Sequence, residues 1–306
     1  MPRVQVSISL PYLLKLSSGL YQVKVGPQYR ELEINEPAPV LLSSRGTFTG
    51  ESGMVVGQAT MPPLQRKTIV SIVDNQPETD NPEEQARLNG RQAHQLLSLT
   101  NSLLRCYRAM TRNSDITELS RAEASPFRFR VLAEADEAHA WEEELSFESS
   151  PPKVLSEPSE TITERVRALL ASGSEPEVAD LFLLDAERAT HEGRFREAVL
   201  FCWSTIDSTF NREYDKLVDS KLDNEWAEAR EFFKGVDFPL KKKMSAALYL
   251  VSGRSLFREP GDLWQRLSSS YNKRNGIIHR GESATEDDAR RALEVALNVV
   301  KIMSTL

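Results

Sequence analysis

Long apolar runs are missing from this 306-residue chain. Nowhere does it offer the roughly 18 consecutive apolar positions that a membrane-spanning helix needs, so no membrane partner is expected. Cysteine is nearly missing as well. The two that occur, Cys106 and Cys202, lie in apolar helical patterns (LLRCYRAM and AVLFCWSTI). That pattern predicts buried thiols and argues against a disulfide framework or a cysteine-based zinc site. The phosphate-cradling pattern G-x-x-x-x-G-K-[ST] is absent, and the pair Lys234-Gly235 stands outside any such context. No repeat recurs at a solenoid period. An excess of positive charge is lacking: the net charge of −7 argues against a broadly basic nucleic-acid coat, while leaving room for a local basic patch. The 40% hydrophobic and 27% charged composition is that of an ordinary globular protein. The opening MPRVQVSISLPYLL has one early arginine and then alternates, so it reads as a strand and not as a secretory leader. The cytoplasm is the expected compartment, and neither a cofactor nor a metal is expected.

Two architectures follow one another along the chain, giving an expected α+β fold. Residues 1–133 read as a β-rich domain with one long helix. VQVSISL, YQVKV, RELEI and TIVSIVD alternate at the two-residue period of strands, punctuated by Gly, Pro and Ser. The helix is expected from Pro82 or Glu83 to about Arg112, with Asn81 as N-cap and Leu96, Leu97, Leu99, Leu103, Leu104 and Tyr107 on its apolar face. SPFRFRVL at 125–132 suits one more strand. Residues 134–160 hold nine acids, a single base (Lys153) and three prolines, and read as an acidic linker. From 161 to 306 the pattern is helical throughout. Helices are expected at about 161–171, 176–191 (closed by Gly193), 194–218, 223–234, 239–251, 264–280 and 285–304. Ser283 and Glu286 fit a capping box for the last of these.

The residues that invite chemistry lie in WQRLSSSYNKRNGIIHR, at 264–280. Trp264, Leu267, Tyr271 and Ile278 are spaced to form an apolar stripe facing a core. Arg274, Asn275 and His279 are threaded between them. At 3.6 residues per turn, Asn275 and His279 lie about 40° apart, whereas Arg274 and His279 lie roughly 140° apart. A distortion at Gly276 and the reach of arginine would narrow the second gap. Imidazole can take a proton near neutral pH, and a guanidinium can hold phosphate oxygens as negative charge builds. Together they suit metal-free cleavage of RNA. The window 241–280 holds nine bases against two acids, Glu259 and Asp262. Lys241, Lys242, Lys243, Lys273 and Arg280 are the candidate RNA contacts. Spacing alone fits another reading better: an arginine in a surface ion pair and a histidine packed at a helix end. His94 reads as a surface residue, and His139 with Glu142 and Glu143 reads as a solvated charge run. Trp203, Trp226, Phe232 and Phe233 read as core or dimer contacts.

Arg274-Asn275-Gly276-Ile277-Ile278-His279, the preceding Tyr271, the helix EDDARRALEVALNVVKIM and the upstream REAVLFCWSTIDSTFNREY together resemble the HEPN superfamily, near its Apea-like and abortive-infection branches. The likeness covers about 176–306. It implies a helical bundle that pairs with a second copy, so that motifs from two protomers form one composite site. It also implies a metal-independent RNA endonuclease of toxin or anti-phage type that leaves a 2′,3′-cyclic phosphate and a 5′-OH. On that likeness His279 is the general base or acid, Arg274 the phosphate anchor, Asn275 a polar aide and Asp207 an orienting carboxylate. Gly281 stands where one antitoxin-partnered subgroup carries tyrosine, so adenylylation by a nucleotidyltransferase is not implied. The superfamily also holds inactive members, which makes a module for oligomerisation, RNA or nucleotide binding, or complex assembly the alternative. Residues 1–133 carry no catalytic constellation and suit a sensor or a partner-binding role.

Overall fold

The structure is a computed structural model that describes residues 3–40, 65–77, 79, 81–124, 127–132, 159–222, 227–235 and 239–306. The acidic stretch 134–158, including His139, Glu142 and Glu143, lies outside the described residues, as does Trp226. The fold is α+β and divides into two compact units, one bounded by Met1–Thr111 with Ile116–Glu175 and the other by Arg112–Asp115 with Pro176–Leu306.

The first unit is built on a five-stranded antiparallel sheet: β1 (Arg3–Ser9), β2 (Gly19–Val25), β3 (Gln28–Val40), β4 (Gln65–Asn75) and β5 (Arg128–Leu132), in the order β2-β3-β4-β1-β5. The alternation read from the sequence is what fixes its register. Val4, Val6 and Ile8 of β1 are buried, and Val6 stands opposite Ile72 of β4 and Phe129 of β5. Gly26, at φ 59°, supplies the turn between β2 and β3 that an L side chain would strain. Helix α1 (Pro82–Thr111) covers the sheet and packs on β1, β3 and β4. Asn81 caps it as expected, its Oδ1 accepting from the Glu83 N–H at 3.0 Å. Leu96, Leu99, Leu103, Leu104 and Tyr107 of α1 are buried in the core they share with the strands.

Helix α2 (Glu160–Ser172) departs from the expected domain division, which assigned everything from 161 to the helical region. It packs on β2 and α1, with Val166 and Leu170 in the sheet's core. The Thr163 hydroxyl accepts from the Ser17 N–H at 3.1 Å, and the Arg167 guanidinium lies 4.6 Å from the Tyr21 ring centroid. The acidic, proline-bearing segment marks a change of composition, but which core a following helix joins depends on its apolar face. Here Thr163, Val166 and Leu170 find their complement on the sheet.

The second unit is entirely helical among the described residues: α3 (Val178–His191), α4 (Phe195–Lys221), α5 (Ala227–Lys234), α6 (Leu240–Lys242), a π turn (Lys243–Ala247), α7 (Leu248–Ser252), α8 (Leu263–Arg280) and α9 (Glu286–Met303). Helix α4 is the central element, packing on α3, α8 and α9. Its Cys202, Trp203, Ile206, Phe210 and Tyr214 are fully buried with Met244, Leu267, Val295 and Val299. Both cysteines are free and buried, and burial pushes the Cys106 thiol up to about 11 and the Cys202 thiol up to about 12. The cap of α9 is not the expected Ser283–Glu286 pair. Thr285 caps it instead: its hydroxyl accepts from the Asp288 N–H at 3.2 Å, and Asp288 Oδ2 accepts from the Thr285 N–H at 3.0 Å. Aspartate closes the reciprocal box as glutamate would have two residues earlier. No helix among the described residues is long and apolar enough to cross a membrane.

Candidate active site

Asp207, Asn211 and Asp215 recur every fourth residue along α4, which places them on one helix face. Tyr271 and Arg274 of α8 stand across from them. With Lys234, Pro239, Leu240 and Lys243, these residues line an open cleft of about 640 Å³ within the second unit. The helical run from α6 to α7 is widened by the π turn at Lys243–Ala247, an irregularity that often accompanies functional positions.

Two groups in the cleft are poorly satisfied. The Asp207 Oδ1 is buried without a hydrogen-bond partner. Burial raises its carboxyl above the usual carboxylate range, and the nearby Arg274 charge only partly opposes that. Arg274 donates to its neighbour Asn275 Oδ1 at 3.0 Å, and no carboxylate lies within ion-pair distance of it among the described residues. A half-buried guanidinium out of ion-pair contact, near a carboxylate whose buried Oδ1 has no donor, makes a ready receptor for an anionic group that also carries a hydrogen-bond donor.

The aromatic wall of the cleft is held from behind. The Trp203 Nε1–H donates to Ser270 Oγ at 2.9 Å in the core, and the Trp203 ring meets Tyr271 edge-on at 5.2 Å. The Lys241 ammonium lies 4.8 Å from the Tyr271 centroid, a cation–π contact. Lys243 is almost wholly buried, its ammonium donating to the Lys234 carbonyl at 3.3 Å.

His279 is elsewhere. It is exposed and does not line the cleft. Helix α8 stays regular through Gly276, so the anticipated distortion does not occur, and the roughly 140° between Arg274 and His279 stands. The buried residues Leu263, Leu267, Ser270 and Ile277 define the inward face, and Arg274 falls at its centre. His279 therefore points away from the bundle. Asn275 lies between the two faces. Gly276 is itself buried, and the Glu282 carboxylate folds back against it after the left-handed turn at Gly281 (φ 67°). Ile278 has the angular phase of the apolar stripe, yet in the last turn it is 47% exposed, where the sequence predicts a core position. Ile277 is the buried member of that pair.

The basic window also sorts itself. Lys273 is tied to Asp288 at 3.1 Å and Arg280 to Glu282 at 2.7 Å. Arg254 is tied to Glu259 at 2.9 Å, and Arg266 is paired with Asp262 and Glu294. Among the described residues, Lys241, Lys242, Lys243, Arg258 and Arg274 have no carboxylate partner. Of the five candidate RNA contacts, then, Lys241 and Lys243 border the cleft, Lys242 is exposed on the same helical run, and Lys273 and Arg280 are already neutralised. Asn211, Asp215 and Lys234 were not singled out from the sequence. The four-residue spacing from Asp207 was the signal for the first two.

Asp207 carries a pH prediction. Its folded-state pKa is raised, so the ionised form costs stability above that value, and the cost disappears below the ordinary value of 3.8, where both states hold the proton. Replacing it by asparagine is expected to raise the thermal midpoint at neutral pH by roughly 2–4 °C, on the order of 1 kcal/mol. The gain should shrink as pH falls through the raised value. Melts recorded from neutral pH down to the ordinary value of 3.8 check this, and a gain that grows on acidification contradicts it.

No protein-family model, curated protein or solved structure matches the chain.

Proposed function

We propose that the chain is a metal-independent RNA endonuclease of HEPN type, an effector in a toxin or anti-phage setting, working as a homodimer through its helical unit. Arg274 holds the non-bridging oxygens of the scissile phosphate. His279 of the other copy takes the proton of the ribose 2′-OH. The 2′ oxygen bonds to phosphorus, the bond to the 5′ oxygen breaks, and that oxygen takes a proton from water while the imidazolium returns its own to solvent. The products are a 2′,3′-cyclic phosphate and a 5′-OH. Asp207 accepts from Arg274 or from the ribose once the phosphate is seated.

The observation that supports this reading is the placement of Arg274: a guanidinium with no described carboxylate within ion-pair distance, at the wall of a cleft lined also by Asp207, Lys243 and Tyr271. The exposure of His279 on the far side of α8 makes a second copy necessary. One chain cannot bring both groups to one phosphate without breaking the helix. The uncovered Ile278 beside His279 suits that pairing. The test is incubation of total RNA with the full chain in EDTA, followed by end-group analysis. Cyclic phosphate formation undiminished by EDTA is expected; a strict metal requirement contradicts the proposal.

The same exposure of His279 also favours a second reading, a non-catalytic module that binds RNA or a nucleotide in the cleft or assembles a complex. It predicts binding or dimerisation without cyclic-phosphate ends. The sheet-bearing unit, in either case, is proposed to sense or target.

A further inference from the structure

The helical run beyond the π turn carries a second surface that cleavage chemistry does not use. Helix α7 ends at Gly253 (φ 75°), whose N–H donates to the Tyr249 carbonyl at 2.8 Å. The chain then folds back, and the Leu256 N–H donates to the Met244 carbonyl at 3.1 Å, with both side chains fully buried. This anchor sets residues 257 and 258 over the last turn of the helix. The Arg258 guanidinium lies 4.3 Å from the Tyr249 ring centroid, and the Phe257 ring meets Trp264 edge-on at 5.5 Å. Tyr249, Leu250 and Phe257 are 41%, 72% and 59% exposed.

Rings held this firmly and left this open are unusual on a surface that has no partner. The charge around them has one sign. Arg258, stacked on Tyr249, is exposed and has no carboxylate partner among the described residues, while Glu259, the next residue in the chain, is paired with Arg254. An acidic protein surface would be met by such cations but would not need flat ring faces. Single-stranded RNA offers both features at once, a phosphate and a stackable base at every nucleotide. A duplex keeps its bases stacked inside and cannot use the rings.

We propose that Tyr249, Phe257 and Arg258 form a stacking platform for single-stranded RNA, separate from the cleft of Asp207 and Arg274. The proposal rests on the RNA-directed reading above for its choice of ligand, but not on cleavage. Lys242, which is exposed, and Lys241, whose ammonium lies 4.8 Å from the centroid of the cleft residue Tyr271, are on the same helical run. A strand seated on the platform therefore has a basic path toward Arg274.

The test is fluorescence anisotropy of a fluorescein-labelled oligouridine of about 12 nucleotides with the full chain carrying His279→Ala, which removes turnover from the measurement. Tyr249→Ala and Phe257→Ala are each expected to weaken binding about tenfold, the loss of one stacked base. Arg258→Ala is expected to lower the slope of log affinity against log salt by about one phosphate's worth. A duplex of equal length should bind no differently to the parent and the ring variants. Oligouridine affinity within twofold of the parent in both ring variants overturns the proposal. So does a change of oligomeric state in those variants by sedimentation, which would make the surface a contact between copies. The two proposals fail separately. Loss of oligouridine binding in the ring variants, with no cyclic-phosphate product from the unmutated chain, leaves the platform standing and removes the nuclease. Cleavage with an unchanged ring-variant affinity does the reverse.

Discussion

Replacing His279 by alanine is expected to lower RNA cleavage by 10²–10⁴-fold, the usual contribution of a positioned general base or acid. Replacing Arg274 by alanine is expected to lower it by about 10²–10³-fold, as when a donor aimed at developing negative charge is removed. The two losses should differ in kind. His279 is exposed and makes no contact that the fold needs, so His279→Ala should leave the thermal midpoint and the affinity for RNA nearly unchanged and act on kcat alone. Arg274 lines the cleft and lies beside the buried Asp207 carboxylate, which it partly stabilises in its charged form. Its removal should weaken RNA binding as well and push the Asp207 carboxyl further up. Single-turnover cleavage with a defined oligonucleotide, read beside a thermal melt, separates these effects. Retention of cleavage by both variants contradicts the assignment.

Trp203→Ala is expected to produce the largest loss of stability, about 3–5 kcal/mol, as for other buried tryptophans cut to alanine. Trp203 is 1% exposed, packs edge-on against Tyr271 and donates its indole N–H to Ser270. The substitution leaves a cavity in the core of the second unit and a buried hydroxyl without its donor. Such a loss is a large part of the total stability of roughly 5–15 kcal/mol that domains possess. The effect should reach the cleft, because the Tyr271 wall loses its backing. Chemical denaturation followed by circular dichroism measures it. A shift under 1 kcal/mol would mean that the Trp203 site collapses around the vacancy, or that Trp203 is not the keystone of this core. Trp203→Phe, which keeps the ring contact and removes the donor, is expected to lose less.

Much of the fold was legible because burial and local chemistry obey short periods. The alternation of Val4, Val6 and Ile8 fixed both the strand and its inward face. Asn81 and Pro82 marked the start of α1 as written. The cap of α9 was misread by two residues, since Ser283-x-x-Glu286 and Thr285-x-x-Asp288 satisfy the same rule and only the path of the chain selects between them. The membership of α2 was not legible at all. A helix declares its apolar face in sequence, but not the surface that face meets.

The candidate site divides along the same line. Helical phase correctly placed Arg274 and His279 far apart around α8, and no distortion at Gly276 repairs the separation. The partnership of Asp207 with Arg274 in one cleft could be anticipated only from a resemblance, because it joins positions 207 and 274 through tertiary packing. Ile278 shows the converse: its phase predicts burial, and yet it is left about half exposed. Ion pairing was the least legible. The basic window at 241–280 looked uniform in sequence, but Lys273 and Arg280 each hold a nearby carboxylate supplied by the turn into α9 or its first turn.

The composite arrangement, in which Arg274 and His279 act from different copies, is tested most directly by a heterodimer of one Arg274→Ala chain and one His279→Ala chain, isolated through two different affinity tags. A two-fold dimer contains two equivalent Arg–His pairs, and this heterodimer keeps one of them intact, so cleavage at about half the unmutated rate is expected. Each variant alone should remain inactive. A heterodimer as inactive as its parents would contradict pairing across copies.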